Sequence, residues 1–269
     1  MVIKDPKILL KVKEKSKEID ILFNKKIGTT SVRLDASHCR EEECNAGNMF
    51  ADAYAHHFID QTLSREESWA SVAAAVVNGG SVRSGISVGN ITTKDIVSAS
   101  PFGNQIGILT LKGSKLWQIL QHSASQYKLG GFLQVSGIRY QFDSQQPMGQ
   151  RLISVRIKCS ECLTPSYEDL VFNNDYKIVI TDYLVKGGDN YTMINRTDFI
   201  SYQILDYDVV SNYVSKYSPI ITPVEDRISN KPSVCSGSHN NSMSTLSITN
   251  LFIIIAFLYF YQLSNYLKI

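Results

Sequence analysis

The sequence lacks most of the side-chain patterns on which self-sufficient catalysis is built. Its five histidines, His38, His56, His57, His122 and His239, stand at no metal-ligand spacing. His56 and His57 are adjacent on a predicted helix and therefore point to different faces. There is no Walker-type phosphate loop, no GxSxG nucleophile turn and no GxGxxG dinucleotide fingerprint. These absences leave a binding domain, with no metal and no cofactor held by the chain itself. An excess of charge is also missing. With 27 basic and 25 acidic residues the net charge is +2, so no global field draws nucleic acid or an anionic membrane, and nucleic acid is not an expected partner. Long hydrophobic runs are absent too. The unbroken apolar stretch Leu251–Tyr261 has eleven residues, against roughly 20 for a membrane-spanning helix. Met1–Leu22 is lysine-rich (Lys4, Lys7, Lys11, Lys13, Lys15, Lys17) and contains no run resembling the core of an export signal.

What is present bounds the rest. A chain of 269 residues that is 43% hydrophobic can bury one substantial core. The five cysteines form two close pairs, Cys39 with Cys44 and Cys159 with Cys162, and leave Cys235 over. Two short disulfide loops fit a secreted protein; the alternative for Cys159-x-x-Cys162 is half of a zinc site, although no histidine lies near it. Sequons at Asn90, Asn190, Asn195 and Asn240 agree with passage through the secretory route. At the C-terminus the small residues Ser236, Gly237 and Ser238, a polar spacer from His239 to Asn250 and the short apolar tail form the three parts of a signal for a glycosylphosphatidylinositol (GPI) anchor, with Ser238 as the attachment residue. A longer span, Leu246–Leu263, makes a poor transmembrane segment because it takes in Ser247, Thr249, Asn250 and Gln262. A GPI signal acts only on an exported chain, so with no leader visible the sequence reads as a fragment or a truncated gene model.

Between the ends, Asp5–Asn24 reads as an amphipathic helix with Pro6 in its first turn. Thr30–Leu34 is expected as a strand, Asn45–Ile59 as a helix and Val72–Val77 as a strand stopped by the turn Asn78-Gly79-Gly80. Ile106–Leu111 alternates like a strand, Ser114 is expected to cap the following helix, and Phe132–Phe142, Leu152–Lys158 and Tyr176–Tyr183 read as three further strands. The sum is an α+β chain with a mixed β-sheet and packed helices. The organisation is a linker helix over 1–27, one domain over 28–230, and the anchor signal over 231–269.

Glycine, arginine, asparagine and aromatic residues cluster where strands end. Asn78-Gly79-Gly80-Ser81-Val82-Arg83 sets two permissive glycines beside a guanidinium, so that backbone amides and a forked cation can approach a phosphate. Pro101-Phe102-Gly103-Asn104 and Thr181-Asp182-Tyr183-Leu184 each put an aromatic near a strand end, where it can stack on a base. Lys186-Gly187-Gly188-Asp189 adds a carboxylate on a glycine loop, suited to ribose hydroxyls. Together with Cys39-Arg40-Glu41-Glu42-Glu43-Cys44, Leu111-Lys112-Gly113-Ser114 and Gly131-Phe132-Leu133-Gln134-Val135-Ser136-Gly137, these segments resemble the C-terminal domain of the 5′-nucleotidase family, most closely its GPI-anchored ecto-5′-nucleotidase branch.

The resemblance implies a fold of the 5′-nucleotidase C-terminal domain type and a binder of nucleoside monophosphates such as AMP, anchored on the extracellular face of the plasma membrane. It implies that Phe102 and Tyr183 sandwich the purine, that Asp189 holds the ribose, and that Asn78, Gly80, Arg83 and Arg40 bind phosphate or the adjacent sugar. Tyr183 stands where vertebrate relatives have phenylalanine. Ala51 and Ala75 stand where the family has a further disulfide. The two divalent, zinc-type metals that drive hydrolysis would belong to an N-terminal domain missing here, the linker helix would be the hinge to it, and a homodimer is expected of the family. The same domain occurs in apyrases and nucleotide-sugar hydrolases, and a tethered, non-catalytic nucleotide-binding module is the remaining alternative.

Overall fold

The structure, a computed structural model, describes residues 5–59 and 69–232. Ser238, Cys235, the sequon at Asn240 and the apolar tail lie outside them. In chain order the elements are α1 (Pro6–Phe23), β1 (Lys26–Thr30), α2 (Asn45–Ile59), β2 (Ala74–Asn78), β3 (Gly89–Thr92), α3 (Thr93–Ala99), β4 (Gln105–Lys112), α4 (Gly113–Ser125), β5 (Leu133–Ser136) and β6 (Ile138–Phe142). They continue with β7 (Leu152–Lys158), β8 (Tyr167–Asp169), β9 (Asp175–Thr181), α5 (Asp182–Val185), β10 (Phe199–Leu205), α6 (Asp206–Tyr217) and β11 (Ile228–Asn230). A five-stranded mixed sheet runs β10-β4-β9-β2-β5 and a four-stranded one β11-β6-β7-β8, while β1 and β3 pair separately. The expected α+β class with a mixed sheet is therefore the one found.

β2 lies between two hydrophobic cores. All five of its residues are buried, and their alternation feeds two cores. Ala75 and Val77 pack with α2, α3 and α6, whereas Ala74 and Val76 pack with α4 and the second sheet. A run buried on both faces is what a strand between two covering layers requires.

Local chemistry sets the element boundaries. Asp5 accepts the Lys7 N–H at 2.8 Å and caps α1, with Pro6 where no backbone donor is needed. The expected strand Thr30–Leu34 instead lies four residues earlier, as β1 (Lys26–Thr30), and only Thr30 is common to both. The Thr30 hydroxyl donates to Val32 O at 2.6 Å and turns the chain, leaving Leu34 in an isolated bridge to Ile86. The run Phe132–Phe142 is broken at Gly137, whose φ of 65° and close approach to Ala73 O send β5 and β6 into different sheets. Ser114 is not a cap. Helix α4 starts one residue earlier, and the carbonyls of Asn174 and Phe172 take the Gly113 and Ser114 N–H groups at 2.9 and 3.0 Å.

Cys39 and Cys44 form the expected disulfide. Cys159 and Cys162 do not: both are free thiols in this structure. The tight turn after β7 satisfies them by hydrogen bonds, the Cys162 N–H donating to Cys159 Sγ at 3.0 Å and the Cys162 thiol to Cys159 O at 3.3 Å. Ala51 and Ala75 both sit in the core cluster around α2.

One polar network ties the chain's late segment to its early one. The buried Arg227 guanidinium donates to both oxygens of Asp52 at 2.7 and 2.9 Å, to Glu225 at 2.7 Å and to Val135 O at 2.9 Å. Glu43, also buried, accepts from the backbone N–H groups of Glu225 and Arg227 at 2.7 and 2.6 Å and from Asn48 Nδ2 at 2.6 Å. Replacing Arg227 by Met leaves Asp52 as a largely buried, uncompensated charge, so urea unfolding should show a loss of roughly 3–5 kcal/mol. Glu225→Gln, at a carboxylate 45% exposed, should cost less than about 1 kcal/mol.

Candidate functional site

The seven expected binding residues converge. Arg40, Asn78, Gly80, Arg83, Phe102, Tyr183 and Asp189 all line one cleft of about 250 Å³, joined by Ser81, Asn104 and Gly130. The cleft lies where the parallel neighbours β2 and β9 end and the antiparallel β4 begins. That is the edge of a sheet at which chain direction leaves loops free to converge.

The glycine turn after β2 works differently from the expectation. Its amides do not face the cleft as phosphate donors, because Gly79 N–H bonds Phe132 O at 2.7 Å and Gly80 N–H bonds Gly130 O at 2.8 Å. The reason for glycine is steric: a Cβ on Gly79 would stand 2.0 Å from Cys39 O, and one on Gly80 would stand 2.9 Å from Gly130 Cα. Three segments thus meet at van der Waals distance, and the disulfide-closed loop Cys39–Cys44 is one of them. Arg40 is fixed there by Lys128 N–H, which donates to Arg40 O at 2.7 Å. Arg40 and Arg83 are exposed cations with no carboxylate partner within the described residues; the Arg83 guanidinium makes a 3.4 Å contact to Gly80 O.

Asp189 is the most heavily supported group of the site. It sits in the left-handed region at φ 49° after Gly187 at φ 93°. Asn78 Nδ2 donates to one carboxylate oxygen at 2.8 Å and the Tyr183 hydroxyl to the other at 3.0 Å, while His122 Nε2 donates to the Asp189 carbonyl at 2.9 Å. Asn78 is itself buried and accepts from the Ser81 hydroxyl. It acts mainly as an orienter of Asp189, with one amide hydrogen left over. Partial burial, and then the bond to Asp189, raise the Tyr183 phenol above its ordinary range, so it stays neutral and donates. The Tyr183 ring lies over Gly188, where any Cβ would come within 2.5 Å of it. Tyr183 itself belongs to α5 rather than to a strand, since β9 ends at Thr181.

Phe102, 57% exposed, stands on the turn between α3 and β4. That turn is gripped from behind by Asp206, the first residue of α6. The Asp206 N–H donates to Asn104 O at 2.9 Å, and its carboxyl accepts from Ser100 Oγ at 3.3 Å and from Tyr207 N–H at 2.8 Å. Burial pushes the Asp206 carboxyl up to about 6, opposed by those hydrogen bonds. Sequence reasoning missed Asp206 and His122 because neither is near a site motif in the chain. Asn104, inside the quoted Pro101–Asn104 word, and Ser81, inside the quoted Asn78–Arg83 word, were the findable omissions.

Comparison with known proteins gives the family. The model of the 5′-nucleotidase C-terminal domain matches residues 26–196. The chain belongs to the 5′-nucleotidase C-terminal domain family. A human 5′-nucleotidase is 33% identical over 264 residues, covering 95% of this chain and 45% of the relative. An apyrase of Tabanus yao is 34% identical over 230 residues, covering 83% and 41%. Among solved structures, a 5′-nucleotidase precursor of Thermus thermophilus superposes with a TM-score of 0.73 at 26% identity, over 82% of this chain and 43% of that one. This 5′-nucleotidase C-terminal domain chain thus spans less than half the length of the relatives it matches.

The Asp206 carboxyl sets a pH dependence. Its folded-state pKa lies above the ordinary carboxylate value, so the folded state holds a proton that the unfolded chain releases, and stability falls as pH rises until the folded pKa is passed. Relative to Asp206→Asn, the wild type should lose about 2 kcal/mol between about pH 4.5 and about pH 7 in urea titrations. Parallel pH profiles for the two proteins would refute the assignment.

Proposed function

We propose that this chain is the nucleotide-gripping domain of an extracellular 5′-nucleotidase that converts nucleoside 5′-monophosphates such as AMP to nucleosides. The observation that carries the reading is the composition of one cleft. Two exposed aromatic rings, Phe102 and Tyr183, share it with two guanidiniums lacking any acidic partner among the described residues, and with a carboxylate oriented by Asn78. Rings suit a purine, the carboxylate suits ribose hydroxyls, and the cations suit a phosphate. Chemistry is a separate matter. Among the described residues no group of three or more His, Cys, Asp or Glu side chains is placed to hold a metal. The two metals are assigned to an upstream domain that relatives of about twice this length have room for. Helix α1 is then the connector, and its apolar side chains, with Ile21 76% exposed, suit a covered position in the longer protein.

The likeness to an apyrase supports a second reading, in which the same cleft serves di- or triphosphates. Calorimetric titration with AMP, ADP, ATP and adenosine separates the two. Under the first reading AMP binds best, and Phe102→Ala and Tyr183→Ala each weaken it by roughly 5- to 150-fold, the equivalent of 1–3 kcal/mol of stacking. Tighter binding of ADP than of AMP favours the second; a folded chain that binds none of them, or alanine variants that bind as the wild type does, would overturn both.

The C-terminal segment supports attachment through a GPI anchor at Ser238. No helix among the described residues is long and apolar enough to cross a membrane. Cell-surface protein should be released by a phospholipase specific for inositol lipids, and retention after that treatment would count against the anchor.

A further inference from the structure

The outward face of the second sheet carries a group of residues that the nucleotide cleft does not use. Along β6, Ile138, Tyr140 and Phe142 enter the core and Arg139 and Gln141 face out. Along β7, Val155 and Ile157 enter the core and Ser154 and Arg156 face out, and β11 turns Ile228 in and Ser229 out. The register places Gln141 opposite both Ser154 and Ser229, so three neutral polar side chains form a row across three adjacent strands. At roughly 5 Å between neighbouring strands, that row is about 10 Å long. Arg139 and Arg156 are paired directly opposite each other, a like-charge juxtaposition that an antiparallel pair normally avoids because it destabilises the sheet. With Lys231 they line a trough of about 410 Å³ floored by the polar row.

The charges of the trough are poorly answered from within the protein. Arg139 lies over the Tyr167 ring at 4.5 Å and has no acidic partner among the described residues. The nearest carboxylate to Arg156 is Asp169 at 3.6 Å, 94% exposed and therefore weakly coupled. Lys231, Gln141, Ser154 and Ser229 have no side-chain partner among the described residues, and Asp226 is the one acid on the rim.

We propose that this trough is a second binding site, for a sulfated oligosaccharide. Cations that repel one another across a strand pair are stabilised by an anion placed between them, and a sulfate carries the acceptor oxygens for a guanidinium. The amide and two hydroxyls of the floor supply both donors and acceptors for sugar hydroxyls along the stretch between charged groups. Other polyanions fit less well. No exposed apolar side chain lines the trough to enter a lipid surface, and no free ring lines it to stack on a nucleobase: Tyr140 is buried and the Tyr167 ring is covered by Arg139. This site and the nucleotide cleft have no lining residue in common, so the inference does not rest on the proposed function.

The test is titration of the whole protein with a heparin-derived octasaccharide, followed by calorimetry, with a fully desulfated octasaccharide and phosphatidylserine vesicles as parallel probes. Binding should weaken steeply as salt rises from about 0.05 to about 0.2 M and should vanish with the desulfated probe. The double variant Arg139→Ser/Lys231→Ser should bind at least about ten-fold more weakly. Gln141→Glu, which adds a charge without removing a cation, should do the same, while neither variant melts below the wild type and AMP titration of both stays as in the wild type. No binding by the wild type, unchanged binding by both variants, or vesicle binding that exceeds binding of the oligosaccharide would overturn the proposal.

Discussion

The buried Arg227 guanidinium is the constraint on which the rest of the arrangement depends. A cation in that position is tolerable only because two carboxylates and a carbonyl surround it. Those partners come from α2, from the last residues before β11 and from β5. Meeting its hydrogen bonds therefore fixes a helix, a strand of the large sheet and the edge of the small sheet against one another. Glu43 extends the same constraint into the disulfide loop by accepting the backbone of residues 225 to 228. The loop so anchored carries Arg40 to the mouth of the cleft. A structural ion network and a residue that lines the cleft are thereby held by one segment only a few residues long.

The cleft is held in part by residues that do not line it. Asp189 is held by groups from β2, α4 and α5, and Phe102 by the first residue of α6. Such support is what keeps a polar site in place before any ligand arrives, at the cost of left-handed backbone at Asp189. Tyr183 adds a case of double use. Relative to phenylalanine its hydroxyl brings a bond to Asp189, so the ring and the carboxylate are mechanically joined and neither can move without the other.

Much of this was legible in the sequence where a residue's chemistry and its neighbours in the chain decide the outcome. The amphipathic spacing of α1, the long apolar pattern of α2 and the alternation of β7 are local signals, and all three elements appear at or near the expected bounds. Asn78, Gly80, Arg83, Phe102, Tyr183 and Asp189 were legible because they sat in words of glycine, aromatic, amide and charged residues near strand ends, whereas Arg40 came only through the family resemblance. What was not legible depended on distant contacts. Gly137 breaks a strand because Ala73 O crosses behind it, which nothing within Phe132–Phe142 announces. The Gly79 and Gly80 amides looked free for phosphate because the carbonyls that take them lie more than 40 residues on. The stretch 199–230 has no clean alternation, and its two strands, helix and buried arginine are set by the surfaces they pack against.

The two rings at the cleft are not held alike. Tyr183 rests flat on a glycine backbone and is tethered through its hydroxyl, so one of its faces is already covered and its angle is set before anything enters. Phe102 stands further out, beside a left-handed glycine, on a turn held only at its two ends. On the proposed reading the pair would act as a vice with one fixed jaw and one sprung jaw: the fixed plane would set the tilt of a flat group entering the cleft, and differences in its thickness would be absorbed on the other side.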